Sequence, residues 1–193
     1  MSQTNGPEPD LQDRLFLLDT SRSMGWRIRG GKERKLDLMR DGLMAYCSKL
    51  WPLSYYDKPV RLGVVSFRLL GVPGDTKFDV IVPLYTSPMS LELYRLQNID
   101  AKGGCYISDG LKYASIVLRE SDRPVKRLDL ITDGDFQGPD PVPYARIFKD
   151  SGIFLNMIEM AEKPSTPMQE LASQGGGRYC LVRNAYELAQ SFE

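Results

Sequence analysis

Short apolar runs alternate along the chain with segments in which apolar residues recur every three or four positions. The runs are rich in Leu, Ile, Val and Phe, and Gly, Pro or charged residues bound them, which is typical of strands that are buried on both faces. The pattern predicts strands at 14–18, 60–67, 77–84, 125–132, 152–160 and 178–182.

A helical period appears between these strands. The apolar residues of one segment fall on a single face of a helix. They are Leu36, Met39, Leu43, Cys47 and Leu50. A second helix is predicted from Ile107 or Ser108, with Leu111, Ala114 and Leu118 on its inner face.

Three further helices are predicted from shorter signals. One spans Ser90–Leu96. Two others begin with capping boxes, in which a polar N-cap residue is followed three positions later by Glu or Gln. Thr166 with Gln169 forms the first box, and Asn184 with Glu187 forms the second.

This order of elements indicates the fold class. Strands that alternate with helices predict a mostly parallel sheet covered on both faces, so we expect a Rossmann-like, doubly wound α/β fold with about six strands. The connection between 60–67 and 77–84 is short and contains Gly and Pro, which predicts one antiparallel edge strand. Residues 1–12 are expected to be a flexible lead-in and 13–193 a single domain.

The composition narrows the functional classes. The 25 basic and 25 acidic residues give a formal net charge of +0, so charge gives no reason to expect nucleic acid or an anionic membrane as partner. The three cysteines lie far apart, which fits neither a disulfide framework nor a zinc site. Without a signal peptide or an apolar segment of the ~18 residues that a membrane span needs, a cytoplasmic protein is expected.

The chain contains no histidine. This absence excludes Ser-His-Asp and Cys-His catalysis and zinc sites with histidine ligands. An enzyme with this sequence would have to use carboxylates, lysine or a metal.

Polar side chains stand where two of the predicted strands end. Asp19, Ser21 and Ser23 follow the first strand, and Asp133 follows the strand at 125–132. Ligands bind at the carboxyl ends of parallel strands, so these side chains are candidates for one site. Two carboxylates and two hydroxyls suit Mg²⁺ or Mn²⁺, because both ions prefer oxygen ligands. Each of these side chains, taken alone, could instead have a structural role as a helix N-cap or in a hydrogen bond within a loop.

These motifs resemble those of von Willebrand factor type A (VWA) domains. "DTSRSM" at 19–24 is similar to the D-x-S-x-S motif of the family's metal-ion-dependent adhesion site (MIDAS), and "LITDGD" at 130–135 to its aspartate motif. The C-terminal segment resembles the family's last strand and helix, so the likeness covers 13–193. The chain is similar to intracellular bacterial or archaeal VWA domains, such as those of tellurite-resistance systems.

The resemblance implies a metal-dependent interaction domain and not an enzyme. It implies that Asp19, Ser21, Ser23 and Asp133 bind Mg²⁺, or alternatively Mn²⁺ or Ca²⁺. A protein partner is then expected to complete the metal shell with an Asp or Glu side chain.

One position departs from the family's motif. Cys105, in "GGCYISDGL", stands where VWA domains have threonine, and a thiol is a poor ligand for Mg²⁺. We expect water to take this place or the metal to bind more weakly. Compensation by Ser108 or Asp109 is the alternative, and Asp135 is a further candidate near the metal.

The loop after the serines, "GWRIRGGKERK", is basic and ends at Lys35. Beside a metal ion, such a loop would favour an acidic partner surface, with Trp26, Arg27 and Arg29 as its binding rim. The alternative is a solvated loop in which Trp26 folds onto the domain.

Three functions therefore remain open. The first is a MIDAS-type interaction module. The second is a metal-dependent phosphohydrolase or nuclease that uses Asp19 and Asp133, although Ser21 stands where a second acid would be expected. The third is a VWA scaffold that does not bind metal and interacts through other surfaces.

Overall fold

The sheet lies at the centre of this computed structural model, which describes residues 11–50, 60–72, 74–84 and 93–193. These residues form six strands in one sheet, in the order β3-β2-β1-β4-β5-β6. Neighbouring strands are parallel except β2 and β3, which pair antiparallel at the edge. The strands are β1 (Gln12–Asp19), β2 (Val60–Leu69), β3 (Thr76–Val82), β4 (Val125–Thr132), β5 (Ile153–Glu159) and β6 (Gly176–Leu181).

Helices cover both faces of the sheet. α1 and α5 pack on the face that carries Phe16 and Leu18 of β1. α2, α3 and α4 pack on the opposite face, which carries Leu15 and Leu17. The helices are α1 (Lys35–Leu50), α2 (Ile107–Arg119), α3 (Val142–Asp150), α4 (Thr166–Gln174) and α5 (Ala185–Ser191).

This architecture confirms the predicted α/β class, the mostly parallel sheet and its antiparallel edge strand. β1 alternates between the two apolar clusters because successive side chains of a strand point to opposite faces. The predicted strands are all present, with ends that differ from the prediction by at most two residues; β1 extends to Gln12 and Asp19.

One of the two helix starts predicted from capping boxes needs correction. The N-cap of α4 is Ser165 and not Thr166, and Ser165 makes no side-chain capping bond. The carboxylate of Glu159 accepts a hydrogen bond from the Ser165 N–H at 3.0 Å, and Thr166 then becomes the first helical residue. At α5 the prediction is confirmed, because the side chain of Asn184 accepts from the Glu187 N–H at 2.8 Å.

The helix predicted at Ser90–Leu96 lies partly outside the described residues. Its described part belongs to a short 3-10 helix, Tyr94–Asn98, which extends beyond the predicted end. Leu96 is the buried residue of this turn, so only one side chain anchors it to the core.

A buried ion pair joins β1 to β4 away from the predicted site. The guanidinium of Arg14 donates to Asp129 at 2.5 Å, and both side chains are at most 2% exposed. The same guanidinium donates to the Tyr46 hydroxyl at 2.6 Å and to the Phe192 carbonyl oxygen. These bonds tie β1, β4, α1 and the residue after α5 together, so the polar start of β1 has a structural role.

Candidate functional site

The winding of the chain reverses between β1 and β4. After β1 the chain forms β2 and β3 on one side, and it then returns to form β4 on the other side. Asp19 is the last residue of β1 and Asp133 directly follows β4, so both acids lie at this switch point. Parallel pairing sets Leu18 opposite Ile131, which brings the two strand ends together.

Asp19 is fully buried and its two carboxylate oxygens are both hydrogen bonded. Oδ1 accepts from the Ser21 N–H and Oδ2 accepts from the Thr132 hydroxyl, each at 2.8 Å. Burial raises the pKa of Asp19 from 3.8 to about 6; the bond from the Ser21 N–H opposes this rise, and the nearby charge of Asp133 adds to it. A positive charge at this point would stabilise the ionised form.

The two serine hydroxyls meet beside this acid. Ser21 Oγ and Ser23 Oγ are 3.1 Å apart, and both residues are buried. Ser21 precedes a 3-10 helix, Arg22–Gly25, but its side chain makes no capping hydrogen bond. Helix capping therefore does not account for the hydroxyl of Ser21.

Asp133 is paired with a lysine. Its side chain is 1% exposed, and Oδ2 accepts from the Lys35 ammonium at 2.7 Å. Oδ1 accepts from the Asp135 N–H at 3.2 Å. Sequence reasoning counted Lys35 only among the basic residues of its loop, because nothing in a local motif indicates a contact across 98 positions.

Cys105 lies in a loop that the backbone holds tightly. Gly103 has a φ of 71°, and a Cβ added there would lie 1.9 Å from the carbonyl oxygen of Leu69, so only glycine fits. The N–H groups of Arg22 and Gln137 donate to the carbonyl oxygens of Gly103 and Cys105 at 3.0 and 2.9 Å. These bonds join the loops after β1 and β4 to the Cys105 loop.

The thiol of Cys105 is buried, with 2% of the residue exposed. Burial raises its pKa well above the usual value, and the charges of Asp19, Asp133 and Asp135 raise it further. Cys105 is therefore a neutral thiol at physiological pH, which is a weak partner for a hard cation.

The other candidates are arranged differently. Ser108 is buried, and its hydroxyl has no hydrogen-bond partner within the described part of the chain. Asp109 accepts from the Thr76 hydroxyl at 2.6 Å, which ties its carboxylate to β3. Asp135 is exposed and contributes its N–H, not its carboxylate, to the bond with Asp133.

The predicted rim residues lie on an exposed loop. Trp26 is 58% exposed, so it does not fold onto the domain, and Arg27 and Arg29 are also exposed. Arg27 forms an antiparallel bridge with Arg34, and the Lys35 N–H donates to the Trp26 carbonyl oxygen at 2.9 Å. The base of this loop is thus fixed beside the residue that pairs with Asp133.

The donor chemistry at the switch point fits Mg²⁺, because carboxylate and hydroxyl oxygens are the ligands this ion prefers. Among the residues that the structure describes, no group of three or more Cys, Asp or Glu side chains could hold a metal by itself. The serine hydroxyls would therefore have to complete the set with Asp19 and Asp133. The Lys35–Asp133 pair is the feature that opposes a metal here.

The model of the von Willebrand factor type A domain matches residues 15–136, and the chain belongs to this family. VWA domains commonly mediate protein–protein interaction and are generally not enzymes. No curated protein matches the chain.

Solved structures share the fold at low identity. An aerotolerance-related membrane protein from Bacteroides fragilis is 20% identical, with a TM-score of 0.68 over 93% of this chain and 95% of that one. The SpRpn10 VWA domain is 12% identical, with a TM-score of 0.72 over 94% and 95% of the two chains. The PilB minor pilin from Streptococcus sanguinis is 16% identical, with a TM-score of 0.73; 98% of this chain matches 61% of the pilin. Likeness at these identities establishes the fold alone.

Within the described ranges, no helix is long and apolar enough to cross a membrane.

Proposed function

We propose that the protein is a metal-ion-dependent interaction module. Asp19, Ser21, Ser23 and Asp133 bind Mg²⁺, with Mn²⁺ or Ca²⁺ as alternative ions. A carboxylate of a protein partner, from an Asp or Glu side chain, completes the metal shell. Cys105 in the place of the family's threonine leaves one position to water or weakens metal binding.

One observation carries this proposal. Two buried acids from β1 and β4 lie at the switch point of the sheet, next to serine hydroxyls that are 3.1 Å apart. The pKa of Asp19 is raised to about 6 by burial and by the charge of Asp133, so the arrangement favours a cation. Such a group of acids is costly to bury unless a positive charge compensates it.

The rim supports an acidic partner. Trp26, Arg27 and Arg29 are exposed on the loop whose base is bonded to Lys35. An exposed indole between basic side chains provides an anchor and a complementary charge for an acidic surface. The net charge of the chain is +0, so this basic loop is the main electrostatic reason to expect an acidic partner. Nucleic acid is not expected as a partner.

Calorimetric titration with Mg²⁺ and Mn²⁺ tests the metal site. The wild type is expected to bind one ion, and Asp19→Ala is expected to abolish the heat of binding. Asp41→Ala, which removes an exposed carboxylate on α1, is the matched control and is expected to bind like the wild type. Equal titrations for wild type and Asp19→Ala would contradict the proposal.

The partner is tested by affinity capture from the native host in Mg²⁺ and in EDTA. A protein that is captured by the wild type in Mg²⁺, but not in EDTA and not by Asp19→Ala, meets the expectation. Substitution of that protein's acidic residues should then abolish the interaction. Capture that EDTA does not change would contradict a metal-dependent interface.

A VWA scaffold without metal is the second candidate function. The observation that favours it is the ammonium of Lys35, which already compensates Asp133 at 2.7 Å. Titrations without a metal-dependent signal, in wild type and Asp19→Ala alike, would support this candidate.

An enzymatic role is tested by turnover of phosphoesters. We expect no metal-dependent hydrolysis, because VWA domains are generally interaction modules. Turnover that Asp19→Ala abolishes would favour the phosphohydrolase or nuclease alternative instead.

The cytoplasmic location and the link to tellurite-resistance systems stay predictions. Proteins that share the fold include a membrane protein and a pilin, so the fold does not fix the compartment. Fractionation of the native host, with detection of the protein in each compartment, tests the location.

A further inference from the structure

We infer that Lys35 is an internal competitor for the metal site: its ammonium group and a divalent cation bind Asp133 in alternation. This inference rests on the proposed metal-dependent function and concerns its regulation. The ammonium lies 2.7 Å from Asp133 Oδ2, where the lysine side chain is 13% exposed and the aspartate side chain 1% exposed.

The two cations compete for the same oxygen. Asp133 Oδ1 accepts a hydrogen bond from the Asp135 N–H, and Oδ2 accepts one from the Lys35 ammonium. A metal that binds Oδ2 directly must displace the ammonium. Repulsion between a divalent cation and an ammonium is strong in a buried site, where solvent screens charges poorly.

The charges at the site favour exchange over joint binding. With Asp19 and Asp133 ionised and Lys35 in place, the three groups carry a net charge of −1. A divalent cation bound beside all three groups would give the site a net charge of +1, whereas a divalent cation that replaces the Lys35 ammonium gives a neutral site. Exchange is therefore the electrostatically favoured route to a metal-bound site.

Lys35 is placed where its ammonium can leave without a change in the fold. It is the first residue of α1, and its N–H is held by the Trp26 carbonyl oxygen at 2.9 Å. The long side chain is partly exposed, so its ammonium can turn towards water while the backbone stays in position. A cation in the first turn of a helix is also disfavoured by the helix dipole, so α1 itself does not stabilise this lysine.

The competition sets a threshold for metal binding. The metal has to replace an interaction that is already made, which lowers its apparent affinity. A partner carboxylate that binds the metal adds free energy only to the exchanged state and so shifts the equilibrium towards it. Metal and partner are then expected to bind together.

Calorimetric titration of Mg²⁺ into Lys35→Met tests the inference. This variant keeps an apolar stem of similar length and removes the charge. Its affinity for Mg²⁺ is expected to exceed that of the wild type at least tenfold, with the same stoichiometry. Lys32→Met, which removes an exposed charge from the same loop, is the matched control and should change the affinity less than twofold.

Thermal unfolding in EDTA provides a second readout. Lys35→Met should unfold at a lower temperature than Lys32→Met, because Asp133 loses its partner, and Mg²⁺ should restore more stability to Lys35→Met than to the wild type. If Lys35→Met does not fold, Lys35→Gln, which keeps a hydrogen-bond donor without the charge, takes its place in both measurements.

The outcomes separate this inference from the proposed function. Equal Mg²⁺ affinities for wild type and Lys35→Met would overturn the competition and leave the metal site intact. Tighter binding by Lys35→Met than by the wild type, lost in the double variant of Lys35→Met with Asp19→Ala, would support both. Absence of binding in every variant would overturn the metal-dependent function and the competition with it.

Discussion

Asp19→Asn should change how the stability of the protein depends on pH. The carboxyl group of Asp19 is fully buried, and burial raises its pKa from 3.8 to about 6, with a contribution from the charge of Asp133. Asparagine has a similar shape and keeps an oxygen for the hydrogen bond from the Ser21 N–H, but it does not ionise. The variant therefore isolates the ionisation of one buried group.

The sign follows from proton binding in the two states. Between pH 3.8 and about 6, native Asp19 holds a proton that the unfolded chain has released. The free energy of unfolding of the wild type therefore falls as the pH rises through this window. A shift of about two pKa units, at ~1.4 kcal/mol per unit, corresponds to about 3 kcal/mol.

Urea unfolding at several values between pH 4 and 7, in buffers freed of divalent metals, measures this difference. The free energy of unfolding of Asp19→Asn, relative to the wild type, should increase by about 2.5 kcal/mol across this range, which covers most of the titration. Addition of Mg²⁺ at pH 7 should stabilise the wild type and not the variant, because a bound ligand stabilises the native state.

Parallel curves for the two proteins would contradict a raised pKa for Asp19. They would mean that Asp19 ionises in the native state as it does in the unfolded chain, in spite of its burial. Asp41→Asn, which changes an exposed carboxylate on α1, controls for effects of net charge and should follow the wild type.

Three further predictions concern packing and accessibility. Asp129→Ala should destabilise the protein by about 3–5 kcal/mol in urea unfolding, because it leaves the guanidinium of Arg14 buried without its carboxylate. Gly103→Ala should lower the free energy of unfolding by about 2 kcal/mol or more, since its Cβ would lie 1.9 Å from a carbonyl oxygen at a φ of 71°. Cys180, which is half-buried, should react with a thiol reagent in the native protein well before Cys105, which is 2% exposed and whose pKa burial raises.

The two stability predictions each have a control variant, and the labelling prediction compares two thiols of the same protein. Asp122→Ala removes the exposed partner of Arg61 and should change stability little. Gly30→Ala has a similar φ of 80°, but none of the described atoms lies within 4 Å of its Cβ, so it should cost about 1 kcal/mol. Losses as small as those of the controls, or equal labelling rates for the two thiols, would contradict the corresponding prediction.

The strands and the main site residues could be predicted because their signals are local. The apolar runs that form β1 and β4 end at Asp19 and just before Asp133, and chain order alone places both at one edge of a parallel sheet. α3 was not predicted, since it is short and only Ala145 and Phe148 are fully buried. The start of α4 was misplaced because the carboxylate of Glu159, at the end of β5, accepts from the Ser165 N–H, and no capping motif in the sequence indicates this bond.

Local signals in the sequence are enough to predict the alternation of strands and helices, the antiparallel edge strand, and the acids and hydroxyls at the strand ends. Periodicity and short motifs carry this information, because they depend on residues a few positions apart. The tertiary structure adds that Lys35 pairs with Asp133 and that the Thr132 hydroxyl donates to Asp19. These contacts join residues about a hundred positions apart, and their existence depends on how the loops meet above the sheet.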